Sequence, residues 1–169
     1  PKKSLGQHFL SHPGIIRRIV ELARITAGDD VLEIGPGRGS LTKALIDANA
    51  SVIAIELDRD LCARLSAEFS GNSGFELMEG DCLSISFSEI AEGKKGRLKL
   101  VSNLPYNISS PVLFKLMDER ESFSFIALML QKEVAQRIAS GPGSKDYGIL
   151  SVLLQTLFHV KKEFDVPPG

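Results

Sequence analysis

The sequence predicts an α/β fold, an open and mostly parallel sheet with helices on both faces. Three observations predict it. Short apolar runs rich in Val, Ile and Leu recur along the chain, bounded by turn residues. Amphipathic segments of about ten residues separate them, the pattern of crossover helices between parallel strands. A glycine cluster, Gly35, Gly37 and Gly39, follows the first apolar run at once and leads into a helix.

Each element has its own signal. Ile15, Ile16, Ile19, Val20 and Ala23 recur at helical spacing, with Pro13 suited to a first turn. "DVLEI" (30–34) reads as a short buried strand, "SLTKALIDANA" (40–50) as a helix and "SVIAIEL" (51–57) as the second strand. "RDLCARLSAEF" (59–69) is the next helix and "FELMEGD" (75–81) the third strand; "LKLVSN" (98–103) is the fourth, after a Gly/Lys-rich loop. Ser110, with Pro111 behind it, reads as the N-cap of a helix over 111–119. "SFSFIALML" (122–130) is a fifth strand, "QKEVAQRIA" (131–139) a helix, "SGPGSKD" a loop and "YGILSVLLQ" (147–155) one more helix. Weak alternation in "FHVKKEFDVP" (158–167) predicts a sixth strand.

The length of 169 residues suits one domain with a real core, and no internal boundary or repeat interrupts it. No apolar run reaches the length of a membrane span, and "PKKSLGQHFL" lacks the apolar centre of a secretory signal. Cys62 and Cys82 lie twenty residues apart without CxxC spacing, which predicts buried thiols and a cytoplasmic location. The net charge of −1 argues mildly against a nucleic-acid partner. Basic clusters do occur at Lys2–Lys3, Arg17–Arg18, 94–99 and Lys161–Lys162, so composition leaves RNA binding undecided.

In an open parallel sheet, ligands bind at the carboxyl ends of the strands, near the point where strand order reverses. The turns there hold the unusual residues. Glycines at 35 and 37 permit a tight turn and close approach of a ligand to the backbone. The spacing is GxGxG; the dinucleotide fingerprint would need glycine at 40, where the chain has Ser40. Glu56 ends the second strand, 19 positions after Gly37, where a carboxylate can accept from both ribose hydroxyls, or simply meet solvent. Asp81, after Gly80, can accept from an adenine amino group or cap a turn. Glu33 is better placed to face the charged end of a cofactor than to be buried unpaired. Together these acids describe a pocket for an adenosine-bearing cofactor. Ser40 and the scarcity of phosphate-binding cations, Arg38 apart, favour S-adenosylmethionine over NAD.

"NLPY" (103–106) ends the fourth strand beside that pocket. The nitrogen lone pair of a planar exocyclic amine such as adenine N6 is delocalised into its ring. Two acceptors on its N–H groups, the Asn103 side-chain oxygen and the Leu104 carbonyl, would favour a pyramidal nitrogen and free that pair. Tyr106 offers a face on which a flipped-out base can stack. The bland alternative is an Asn/Pro turn ahead of a capped helix. His8 and His12 stand four apart, but with no third ligand in sight they do not predict a metal.

"SLGQHFL", "EIGPGRGSLT", "ELDRDL", "GDCL", "NLPYNISSP" and "QKEVAQR" resemble, in order and spacing, the motifs of the ribosomal RNA adenine dimethyltransferases. "QHFL", "GPGRGSLT" and "NLPYNISSP" fit the kasugamycin-sensitivity group, which acts on small-subunit rRNA, better than the macrolide-resistance group, which acts on the large subunit. The resemblance implies a Rossmann-like class I methyltransferase that dimethylates N6 of two adjacent adenosines near the 3′ end of 16S rRNA, in the immature 30S subunit. It implies S-adenosyl-L-methionine as cofactor, no metal, no membrane, and a monomer at full length. It places Gln7, His8 and Leu10 at the cofactor's methionine end with Gly35 and Gly37, Glu56 on the ribose, and Asp81 with Cys82 on the adenine. Asn103 falls beside the methionine amine and the target, and Asn103, Leu104 and Tyr106 form the target pocket.

The chain stops at "FDVPPG", where that family continues with an aromatic/proline motif, a final antiparallel strand and a small helical domain. The expectation is therefore one catalytic domain over 1–169, cut before that strand, with unpaired sheet edges and part of the RNA surface absent. Cofactor binding would survive such a cut, and turnover on RNA would suffer. Two other classes stay open: a non-catalytic ribosome-assembly or transcription factor on the same fold, and an NAD-binding oxidoreductase, which Ser40 and "NLPY" disfavour.

Overall fold

The computed structural model describes residues 12–94 and 96–166, which fall into two compact units dividing between Met129 and Leu130. In the first unit, α1 (Pro13–Leu22), α2 (Ser40–Asp47), α3 (Arg59–Glu68), α4 (Phe87–Glu92) and α5 (Ser109–Asp118) alternate with five strands. The strands are β1 (Asp30–Ile34), β2 (Ser51–Glu56), β3 (Phe75–Glu79), β4 (Leu98–Asn103) and β5 (Phe123–Met129). All four pairings are parallel, in the order β3-β2-β1-β4-β5. The chain winds outward from β1 to β3, then crosses back to β4, so the order reverses between β1 and β4.

The registers explain the apolar runs. Val31 pairs with Val52, and Val101 with Ala127, on one face of the sheet. Ile16 of α1, Ala23 at its C-cap, and Leu41 and Leu45 of α2 cover that face. On the other, Phe123 sits beside Leu98, and the Phe87 ring of α4 packs edge-on against it at 5.8 Å. Lys115 of α5 places its ammonium 4.6 Å from the Phe87 ring. Strands buried on both faces must be apolar throughout, which is why alternation is absent from β1, β2 and β4.

The second unit holds α6 (Lys132–Ala139) and α7 (Ile149–Leu157). Ser151 Oγ donates to the Arg137 carbonyl at 2.6 Å, and Gln155 Nε2 donates to the carbonyls of Ile138 and Ser140 at 2.9 and 2.8 Å.

Four sequence expectations change. The interval between β3 and β4 contains α4, a six-residue helix whose N-cap Ser86 accepts from the Glu89 N–H at 3.2 Å. Residues 158–166 form no strand; Lys161 and Lys162 pair locally with Glu163 and Asp165 instead of joining a ladder. Asp81 lies beyond β3, which ends at Glu79. Ser110 sits inside α5, because Ser109 starts the helix and ties it to the preceding turn through Oγ to the Pro105 carbonyl at 3.2 Å. Cys62 and Cys82 are both buried and unbridged.

Candidate functional site

A cleft opens at the carboxyl ends of the strands, enclosing about 920 Å³ of non-protein space, part of it open to solvent. The turns after β1, β2, β3 and β4 line it. The turn after β1 has left-handed backbone at Gly35 (φ 65°) and Gly39 (φ 79°). A Cβ on Gly39 would stand 2.9 Å from Leu65 Cδ2 and from Phe69 Cε2, so this glycine lets α3 pack against the turn. A Cβ on Gly35 would stand 3.2 Å from Pro105 Cδ, which brings the glycine turn and the "NLPY" turn into direct contact.

Glu56 is buried and locked by the backbone. Its Oε2 accepts from Gly37 N–H at 3.2 Å, and its Oε1 accepts from the N–H groups of Leu57 and Asp58, both at 2.9 Å. A carboxylate offers about four acceptor positions, so this one remains able to take a ligand hydroxyl. Glu33, also buried, accepts at Oε2 from Thr42 Oγ1 at 2.7 Å. Burial pushes its carboxyl up to about 8, against the opposing hydrogen bond from Thr42, and the negative charge of Glu56 adds to the rise.

Asp81 is exposed and accepts from the Leu83 N–H at 2.9 Å, so it caps its turn while lining the cleft. Cys82 beside it is buried, and burial pushes its thiol up to about 11, with Asp81 adding to the rise and Lys115 opposing it. A thiol so seldom ionised serves as a small apolar wall, not as a nucleophile.

The end of β4 is held on both sides. Ser102 Oγ donates to the Ile34 carbonyl at 2.5 Å, and the Leu104 N–H donates to the Met129 carbonyl at 3.2 Å. Asn103 lies between these two anchors and lines the cleft, as do Leu104 and Pro105. Tyr106 is 39% exposed and does not line the cleft, whereas the next two residues, Asn107 and Ile108, do.

The structure thus gathers Glu33, Gly35, Gly37, Glu56, Asp81, Cys82, Asn103 and Leu104 around one cleft. Gln7, His8 and Leu10 lie outside the described residues. Sequence reasoning missed Thr42, the donor to Glu33, and Ser102, a lone hydroxyl in an apolar strand. It also missed Leu57, an apolar side chain 55% exposed directly after the acid of β2, where it offers a flat ligand an apolar contact. Its signal was available as a large apolar residue at a turn. Among the described residues, no group of three or more His, Cys, Asp or Glu converges on a metal position. Nor is any helix among them long and apolar enough to cross a membrane. Acids flanked by apolar walls and backbone N–H groups fit an adenosine carrying a cationic tail.

The comparisons with known proteins agree in direction. The family model described as ribosomal RNA adenine dimethylase matches residues 1–168. The ribosomal RNA small subunit methyltransferase A of Geobacter sulfurreducens is 48% identical over 170 residues, covering 99% of this chain and 61% of that protein. The crystal structure of a dimethyladenosine transferase from Plasmodium falciparum aligns with a TM-score of 0.75 at 35% identity, over 88% of this chain and 52% of that one. The 23S rRNA methyltransferase ErmE aligns with a TM-score of 0.66 at 27% identity, over 77% of this chain and 50% of ErmE. The chain therefore spans about 61% of the length of the curated relative it matches.

Proposed function

This chain belongs to the ribosomal RNA adenine dimethylase family, and from that premise we propose that its cleft binds S-adenosylmethionine and methylates adenosine N6 in small-subunit rRNA. The observation that carries the reading is the junction of two turns: Gly35 packs against Pro105, and Ser102 Oγ holds the Ile34 carbonyl at 2.5 Å. A donor site and an acceptor site that share a wall need no further motion to meet.

When bound, the cofactor supplies a methyl group on a sulfonium, open to in-line displacement. The residues of this chain supply position. Glu56, fixed by three backbone N–H groups, would take a ribose hydroxyl, and Leu57, Cys82 and Asp81 would meet the adenine. Asn103, anchored by its neighbours on β1 and β5, would accept from one N–H of the target amine, and the Leu104 carbonyl from the other. Holding a nitrogen behind the methyl carbon in a near-attack geometry removes much of the barrier without an acid–base pair. Tyr106, outside the cleft lining, is suited to stack on a base only as that base enters. The higher identity to a small-subunit enzyme than to ErmE favours the immature 30S subunit as partner, and with it a cytoplasmic location.

The test is transfer of labelled methyl groups to immature small subunits by the full-length enzyme. Asn103→Ala should lower the rate by about 100-fold or more. An unchanged rate would remove Asn103 from the role given to it. Calorimetry with S-adenosylmethionine and NAD separates this reading from a nucleotide-dependent oxidoreductase, which would bind only the second.

A further inference from the structure

Glu33 has a setting unlike that of the other acids at the cleft. It shares a face of the sheet with Val31 and Val101, covered by α1 and α2, and is 2% exposed. Its partner among the described residues is one neutral hydroxyl, Thr42 Oγ1, itself fully buried. Yet Glu33 is among the residues that line the cleft.

Among the described residues, the charges around it do not neutralise it. Glu56 at the end of β2 repels a second negative charge. Asp81, in the turn after β3, is acidic as well, and Arg38, in the glycine turn, is the cation among the lining residues. Lys99, further down the same face of β4, is bound to Asp29 at 2.8 Å. Ile16 of α1, Ala23 at its C-cap, and Leu41 and Leu45 of α2, which cover this face, carry no charge. An ionised carboxylate in such a place is costly, and burial accordingly raises its proton affinity until it titrates at about 8.

We infer that a cationic ligand entering this cleft expels the proton of Glu33 to solvent, and that Thr42 is the positioning residue that holds the carboxylate as it forms. The inference rests on reading the cleft as a S-adenosylmethionine site. The balance is simple: a neutral carboxyl and a cation become a carboxylate–cation pair, and one proton passes to the buffer. Below the pH at which the empty site ionises, each unit of acidity then costs affinity. The ligand's own α-amino group titrates near 7.7–8.0, so the window free of that complication lies between pH 6 and pH 7.

Calorimetry of S-adenosylmethionine binding to this chain at pH 7, in phosphate and in Tris, counts the exchanged protons through the buffers' different ionisation heats. Close to one proton released per ligand is expected, with affinity rising up to about tenfold from pH 6 to pH 7. Glu33→Gln should abolish the release and flatten that rise. Thr42→Val should weaken binding at pH 7 and carry the rise to higher pH, and Thr42→Ser, which keeps the hydroxyl, should restore the original profile. A Thr42→Val chain that is less heat-stable but has an unmoved pH profile would overturn the role of Thr42. Binding without proton release by the unaltered chain would overturn the inference and leave the cofactor reading standing. Absence of binding at both pH values would overturn both.

Discussion

Asp29 immediately precedes β1 and Glu33 lies one residue before its other end, and the fold treats their carboxyls oppositely. Burial alone would raise Asp29, but the hydrogen bonds from Lys99 and Thr26 outweigh it and hold the carboxyl below its ordinary value. Lys99 Nζ lies 2.8 Å from Asp29 Oδ2 and also donates to the Arg24 carbonyl at 2.7 Å, closing off the amino end of the sheet. Glu33, toward the carboxyl end, receives among the described residues one neutral hydroxyl and no cation, and is raised. The amino end completes its own pairing and so contributes stability. The carboxyl end keeps an acid short of charge partners, which costs stability in the empty chain and leaves something for a ligand to satisfy.

The sharpest way to break the contrast is to remove the penalty at the carboxyl end. A raised acid keeps its proton in the folded chain after the unfolded chain has lost it. Glu33 therefore costs stability progressively from the unfolded value near 4.5 up to about 8, beyond which the cost is constant. Measured by urea unfolding without ligand, Glu33→Gln should gain on the unaltered chain by roughly 3–5 kcal/mol between pH 5 and pH 9. A constant difference across that range would show that Glu33 is not protonated in the folded chain.

Two glycines sharpen the same comparison. Gly39, in the turn that borders the cleft, and Gly28, near the amino end, both have positive φ, but only Gly39 has neighbours where a Cβ would go. Phe69, one of those neighbours, is held at 4.8 Å against Phe75 and cannot simply swing aside. Gly39→Ala should therefore lose roughly 2–4 kcal/mol, from backbone strain and overpacking together, and Gly28→Ala about 1 kcal/mol from backbone strain alone. Equal losses in parallel urea titrations would contradict the tight approach of α3 to the glycine turn.

The smallest effect is expected at the amino end. The Lys99 and Asp29 side chains are 17% and 22% exposed, so the pair is partly screened. Lys99→Met should lose about 1–2 kcal/mol at pH 7. Because Asp29 is depressed, its contribution is present above the ordinary carboxylate value and disappears as pH falls through the folded value. The deficit of Lys99→Met should accordingly narrow in acid. A deficit that stays constant on acidification would mean that Lys99 acts only through the Arg24 carbonyl, which does not titrate.

Much of this architecture was legible without coordinates. The apolar runs of β1, β2 and β4 stand out because burial on both faces forbids polar alternation, and the five strands lie where those runs do. The acids and glycines of the cleft were legible because each sits at a strand end, a position that the order of elements supplies. The small helix α4 was missed: six residues show less than two turns of periodicity, although Ser86 and Glu89 have the spacing of a helix cap. Of the strand expected over 158–167, the described residues 158–166 form none for the converse reason, since alternation describes a strand only when a neighbour completes its hydrogen bonds. Tyr106 fell outside the cleft lining because a 3₁₀ turn over Tyr106–Ile108 redirects the chain within three residues.

By itself the sequence determined the order and type of nearly every element, and the strand ends at which the polar and glycine residues would gather. Those properties follow from periodicity and from turn chemistry, which act over a few neighbouring residues. Tertiary structure alone decided that Thr42 would donate to Glu33, that Ser102 would hold Ile34, and that Gly35 would leave room for Pro105. Two of these pairs join residues 68 and 70 positions apart, brought together by parallel pairing of β1 with β4, and no local spacing encodes which side chains such a crossover makes neighbours.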